Sequence, residues 1–322
     1  MDLIQISAWN DSGGGFLHRL LDGHPDLGCW PFELLLGRDG HAVDGFGEDW
    51  FRGRFRWPRF PAALVAARDG VALFNLVSDA ELKEVLRNPR DAKHRNHPVD
   101  VDLSEWRWEA ARRWAADGRF TPGSFVESYV ESLLDLLGDR PGRGRPVLAH
   151  CPVAILDAPE TWVDLPLTRF VCVIRSPLTG FVDMSRRHPG LDPVRYAAKW
   201  SLVNAASLYW AGKAPDRVKV VSLSQLLADR EAVMRDLCGW LALRFDPAVL
   251  RPTWRGAPLS EHRMGPFGGI PDLSRERERR LAERLHDDVR AVLVGRTAAV
   301  AALWDWCDDL DPRRDASGGA GH

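Results

Sequence analysis

Hydrophobic residues at the start of the chain form a short block, LIQISA over Leu3 to Ala8, which stops at NDSGGG and resumes with helical spacing in FLHRLL. This order predicts a strand, a tight glycine loop and a helix from about Gly15 to Asp22. A second apolar run, Leu27 to Phe32, predicts another strand. From Gly37 to Trp57 the chain is rich in Gly, Asp, Arg and aromatics, which predicts a long irregular excursion of the kind that forms lids. Between Pro61 and Leu137, SDAELKEVL opens on a Ser cap, and SEWRWEAARRWAA and GSFVESYVESLLDLL repeat apolar positions near a period of 3.6. These predict a helical insertion over about residues 58–140.

Two strands follow in the same reading, PVLAH (Pro146 to His150) and RFVCVIR (Arg169 to Arg175). The second is a continuous apolar, β-branched run, as expected of a strand covered on both faces. A helix over Pro193 to Gly212, a strand over Val218 to Leu223 and a helix in SQLLADREAVMRDLCGWL come next. After Phe245 the text reads as loop through Pro271, then as helix to about Asp308. Residues 311–322, PRRDASGGAGH and its neighbour, have a composition that cannot pack and predict a disordered tail after a single domain of residues 1–310. Strands alternating with helices predict an α/β fold with a mainly parallel central sheet and helices on both faces. Ligands in such folds bind at the carboxyl ends of the strands, so Asn10 to Gly15, His150 and Arg175 are expected on one rim.

Composition narrows the function. The 322 residues carry 43 Lys+Arg against 45 Asp+Glu, a net charge of −2, which gives no global attraction to nucleic acid or an anionic membrane. Any anion site must therefore be local. The five cysteines are scattered without a C-x-x-C pair, which argues against a disulfide framework and a zinc site; no metal is expected. The chain starts on a strand-like run, without a basic n-region and apolar h-region, and holds no run of about 18 apolar residues. A cytoplasmic protein that does not span a membrane is the expectation.

A loop between a strand and a helix N-terminus exposes backbone N–H groups, and the helix dipole adds partial positive charge. Ser12, Gly13, Gly14 and Gly15 can supply such a nest for an anion, flanked by Asn10 and Phe16. G-x-x-x-x-G-K-[ST] is absent, which disfavours an ordinary ATPase, GTPase or magnesium-dependent kinase, and the G-x-G-x-x-G dinucleotide spacing fails at its third glycine.

The strand, the S-G-x-x loop, the helix ending in LLDGHPDL and the later strand ending in VCVIRSPLTGFVDMSRRHP together resemble the sulfotransferases that use 3′-phosphoadenosine 5′-phosphosulfate (PAPS), especially bacterial members. RVKVVSLSQLLADREAVMRDLCGWLALRFDP and PTWRGAPLSEHRMGPFGGI extend the resemblance, in consistent order, over residues 2 to 295. It implies a three-layer P-loop-like fold, transfer of a sulfuryl group from PAPS to a hydroxyl or amine of a small-molecule acceptor such as a secondary metabolite or sugar, and no nucleic-acid partner; a homodimer is compatible with it. It also implies that Ser12 to Gly15 cradle the 5′-phosphosulfate and Arg175 binds the 3′-phosphate of PAPS or of the product 3′-phosphoadenosine 5′-phosphate. The family's helical Ser falls by spacing on Asp183, with Ser185 the nearest serine. Arg255-Gly256 or Arg263 would close over the nucleotide.

Sulfuryl transfer needs an acceptor deprotonated as it attacks and a leaving phosphate whose charge is stabilised. Glu33, closing WPFE, stands where the glycosaminoglycan branch of the family has its catalytic Glu. His150, in LAHCP, resembles the base at the strand end of the cytosolic branch, with Leu148 where that pattern has Lys. Both are candidates. The loop departs from the family pattern: Asp11 replaces a basic residue, and Gly14 and Gly15 replace hydroxyl residues. An anionic Asp11 would oppose a phosphosulfate unless paired, for example with Arg19, or turned outward to cap the helix, although Arg19 is expected to face solvent. These departures motivate the alternative of an altered or inactive member that binds a different ligand or a protein partner.

Overall fold

The computed structural model describes residues 1–37, 53, 55–77, 80–87, 99–139, 145–259 and 274–304. Arg263, the tail and most of the Gly37 to Trp57 excursion lie outside the described residues. Five strands, β1 (Leu3–Ala8), β2 (Gly28–Glu33), β3 (Val147–His150), β4 (Arg169–Ile174) and β5 (Val218–Ser222), form one sheet in the order β2-β3-β1-β4-β5. Every pairing in it is parallel. Parallel neighbours need long crossovers, and helices fill them here. Helix α1 (Gly14–Leu21) links β1 to β2, and α2 (Ala62–Ala66), α3 (Gly70–Leu76), α4 (Ala80–Arg87), α5 (Leu103–Asp117) and α6 (Pro122–Leu136) lie between β2 and β3. The link from β3 to β4 holds α7 (Ala158–Asp164), and that from β4 to β5 holds α8 (Pro177–Arg187) and α9 (Pro193–Lys213). After β5 come α10 (Leu223–Ala228), α11 (Arg230–Trp240), a two-stranded hairpin of β6 (Thr253–Trp254) and β7 (Ala257–Pro258), α12 (Arg275–Glu283) and α13 (Asp287–Ala301).

Alternation along the strands sorts side chains into two cores. Ile4, Ile6, Ala8, Leu148, Val171 and Val173 meet Phe16, Leu17, Leu20 and Leu21 of α1 and Met234 and Leu237 of α11 on one face. On the other face, Phe170, Cys172 and Ile174 meet Tyr196, Trp200 and Val203 of α9. The same face at the β2–β3 side, through Trp30, Phe32, Val147 and Ala149, is covered by Trp106, Trp114, Phe125 and Tyr129 of α5 and α6. The expected helix–sheet–helix layering is present. All but the first residue of β4 are buried, which is why its apolar run is unbroken.

The tryptophan-rich helix α5 packs through two of its indoles. Trp106 donates to the Tyr129 carbonyl at 3.0 Å and Trp114 to Ser124 Oγ at 3.0 Å, so both are buried with their N–H satisfied. Ser124 is itself part of a capping box with Thr121 that starts α6.

Candidate functional site

The chain leaves β1 toward β2 and leaves the adjacent β4 toward β5. Their connections diverge, which makes this the sheet's switch point, and the crevice where such sheets bind ligands is the one outside the carboxyl ends of these two strands. The loop after β1 and Arg175, which follows β4, meet at this place, Arg175 Nη1 donating to the Asp11 carbonyl at 2.6 Å. Ser176 ends the turn by accepting from Leu178 N at 3.3 Å, with Pro177 beginning α8, so the Arg-Ser-Pro sequence sets the helix start just past the arginine.

Gly13 occupies the N-cap of α1 at φ +93°, a conformation natural to glycine, and offers no side chain to the first-turn N–H groups. Those groups and the positive end of the dipole therefore have no side-chain cap. Ser12 is 1% exposed, and its Oγ has no hydrogen-bond partner among the described residues. A helix N-terminus can hold an anion through its N–H groups, and a buried hydroxyl left unpaired beside it is a further polar group that calls for a partner. Gly14 permits the second contact, because a Cβ there would lie 2.7 Å from His150 Nε2. His150 thus abuts the first turn of α1.

Glu33 and His150, which the sequence offers as separate candidates, are register partners across β2 and β3. His150 Nδ1 lies 3.9 Å from Glu33 Oε1, too long for a hydrogen bond but close enough for a small shift to make one. Burial, reinforced by the charge of Arg19, pulls the His150 pKa down to about 3, so its ring is neutral. The neighbouring His18, in contact with Cys29 Sγ at 3.3 Å, is lowered as well, by burial first and then by Arg19 and His150. Both histidines titrate near 6.5 when unfolded and lower when folded. Their stability contribution is therefore complete above about pH 6.5 and is lost as pH falls from there toward the folded values, at up to about 1.4 kcal/mol per pH unit for each group. Thermal unfolding of wild type and His150→Gln followed across this range should show the steeper acid slope in wild type.

Arg175 does not reach into open solvent. It is 3% exposed, and each nitrogen of its guanidinium is engaged. Nε donates to Glu278 Oε2 at 2.8 Å and Thr179 Oγ1 at 3.1 Å, Nη1 to the Asp11 carbonyl at 2.6 Å, and Nη2 to Glu278 Oε1 at 2.5 Å with Asp183 Oδ2 at 2.8 Å. Burial alone would depress its pKa; Glu278 and Asp183 more than reverse that and raise it. Asp183 is pulled up by burial but held below the ordinary carboxylate range by Arg175 and Arg277. The Arg277 nitrogens stand 2.8 and 2.9 Å from its oxygens.

Several expectations need correction. Arg255 and Gly256 sit on the β6–β7 turn, at the far end of α1 from the loop. Gly256 N donates to Asp22 Oδ2 at 3.2 Å and Arg255 Nη2 to the Leu137 carbonyl at 2.6 Å. Asp22 is the C-cap of α1, so these residues cannot close over its N-terminus. Arg19 is buried rather than solvent-facing, donating to the Pro31 carbonyl at 2.5 Å with its guanidinium 4.5 Å from the Trp254 ring centroid. Asp11, at φ 60°, pairs instead with Arg187 from α8. Its carboxyl is nevertheless raised, because burial outweighs Arg187 and Arg175. Ser185 donates to the Val182 carbonyl at 3.0 Å, and Asp183 takes the place beside Arg175. Phe16 lies in the core under Arg230, 3% exposed, and contributes its backbone alone to the loop.

Among the described residues no group of His, Cys, Asp or Glu could hold a metal ion, and no helix is long and apolar enough to cross a membrane. The chain is similar to the sulfotransferase domain of the Synechococcus PCC 7002 olefin synthase at 16% identity and TM-score 0.49, over 93% of this chain and 94% of that one. It is also similar to the sulfotransferase domain from the curacin biosynthetic pathway (14% identity, TM-score 0.45, 92% and 97% covered) and to sulfotransferase STF9 from Mycobacterium avium (13%, 0.45, 94% and 77%). No protein-family model and no curated protein sequence matches it.

Proposed function

We propose that the chain is a sulfuryl transferase whose donor is a nucleoside 5′-phosphosulfate, the class to which PAPS belongs, and whose acceptor is a hydroxyl or amine of a small molecule. The observation that supports it most is the uncapped N-terminus of α1 beside the unpartnered, buried Ser12 Oγ, with the Glu33–His150 pair against the same turn. Ser12, Gly13, Gly14 and Gly15 would hold the phosphosulfate through the Ser12 hydroxyl and main-chain N–H groups, which is the fit that the 5′ end of such a donor needs. The donor supplies the sulfuryl group and the leaving phosphate. Glu33, a quarter exposed where His150 is a tenth, is the residue better placed to take the acceptor's proton as its oxygen or nitrogen bonds to sulfur; the S–O bond to phosphate breaks with its electron pair on that phosphate. The α1 dipole then faces the growing charge. His150, more buried than Glu33 and 3.9 Å from it, would stand behind the carboxylate as a neutral imidazole.

The alternative, a member of the fold with altered chemistry, draws on Arg175: each of its three nitrogens already has a partner among Asp11, Asp183, Glu278 and Thr179, and two of those partners are carboxylates. Incubating the chain with PAPS or adenosine 5′-phosphosulfate and a panel of alcohols, phenols, sugars and amines, and following product mass, separates the two. A product heavier by one sulfuryl unit, formed only with chain and donor together, supports transfer; its absence with every acceptor favours the altered member.

A further inference from the structure

The crevice has a seat for one anion and a filled place where a second would go. At the loop, the start of α1 has no side-chain cap and the buried Ser12 hydroxyl has no hydrogen-bond partner among the described residues. Across the crevice the fully buried cation is Arg175, and two carboxylates already neutralise it. Glu278 arrives from α12 and spans the guanidinium edge with both oxygens, while Thr179 Oγ1 donates to it at 2.6 Å. Asp183 arrives from α8 and is shared with Arg277 and, at 3.7 Å, Arg186. The third carboxylate, Asp11, is paired with Arg187 and feels His188. Among the described residues four guanidinium groups thus face three carboxylates, and Arg186 and Arg187 are about half exposed, so the buried part of the cluster carries no surplus positive charge.

A phosphate monoester brings close to two negative charges and three acceptor oxygens. Three of the five N–H groups of Arg175 are taken by Glu278 and Asp183 and a fourth by the Asp11 carbonyl, so a phosphate there would receive at most one hydrogen bond without displacing a partner and would sit against two buried carboxylates that repel it. Asp183 belongs to α8, so a movement of α12, which carries both Glu278 and Arg277, would still leave Asp183 beside Arg175.

Resting on the reading of the loop as the seat of a nucleotide's 5′ anion, we propose that the ligand of this site carries its charge at the 5′ end only, and that Asp183 and Glu278 determine this specificity by filling the place a 3′-phosphate would need. The nucleotide class is then a nucleoside 5′-phosphate or 5′-phosphosulfate with a free 3′-hydroxyl.

Calorimetric titration of the full chain with adenosine 5′-phosphate and with adenosine 3′,5′-bisphosphate tests this directly. Wild type should bind the monophosphate about tenfold or more tightly than the bisphosphate, the worth of one charge-assisted hydrogen bond lost. In Asp183→Ser/Glu278→Gln the order should reverse, with Glu278→Gln alone, which keeps the shape of α12, moving part of the way. Tighter binding of the bisphosphate to wild type, or a preference unchanged in the folded variants, overturns the proposal while leaving the anion seat standing. Failure of wild type to bind either nucleotide removes the seat, and the specificity with it.

Discussion

Arg175→Met is expected to destabilise the chain by about 3–5 kcal/mol, because it leaves the buried carboxylates of Asp183 and Glu278 without their shared cation. The arginine also ties the switch point together, joining the β1 loop through the Asp11 carbonyl, α8 through Asp183 and α12 through Glu278. A surface ion pair would cost a fraction of this. Combining Arg175→Met with Asp183→Leu, Glu278→Leu and Arg277→Met should recover most of the loss, since replacing the buried ion pairs together, Arg277 included, removes the desolvation penalty along with the attraction. Urea unfolding of the three proteins measures both steps. A cost near 1 kcal/mol for the single variant would mean that the cluster is far wetter than its 3% exposed arginine indicates.

The glycines of the loop should respond with opposite signs. Gly14→Ala places a Cβ 2.7 Å from both Ala8 Cβ and His150 Nε2, and Ala8 is held by its strand, so the imidazole or the helix start must move. Overpacking of this kind costs about 1–3 kcal/mol, and it distorts the turn whose N–H groups have no side-chain cap. Gly15→Ala meets nothing within 4 Å and lies inside α1, where alanine gains up to about 1 kcal/mol over glycine. Melting temperatures of the two variants should fall and rise respectively. A loss in both would mean that Gly15 is needed for a reason other than its space.

Much of the architecture is legible in the chain because local pattern and tertiary environment agree. The unbroken run of β4 reflects cover on both faces, and the Ser-Pro start of α8 fixes Arg175 at a strand end facing the β1 loop. The turn from β1 into α1 is likewise visible as a glycine-rich break between strand and helix. Glu33 and His150 were legible as residues but not as a pair, since the register that joins them is set by the β2–β3 ladder across the whole helical insertion. Glu278 was not legible at all. It lies in RERERR, a run that reads as a solvated helix face, and only the packing of α12 against α8 makes one of its carboxylates 7% exposed. Arg19 and Arg255 failed for the converse reason. A lone arginine on a helix or turn carries no mark of whether backbone carbonyls such as those of Pro31 and Leu137 will be there to receive it.

If the amides at the start of α1 hold a nucleotide's 5′ anion, as proposed, its binding must perturb them first. Amide chemical shifts of the isotope-labelled chain, recorded as adenosine 5′-phosphate is added, test it most directly. The expected result is saturable change largest at Ser12, Gly13, Gly14, Gly15 and Phe16, with smaller change around Glu33 and His150. Shifts confined to other surfaces, or none at those amides at millimolar ligand, would contradict it.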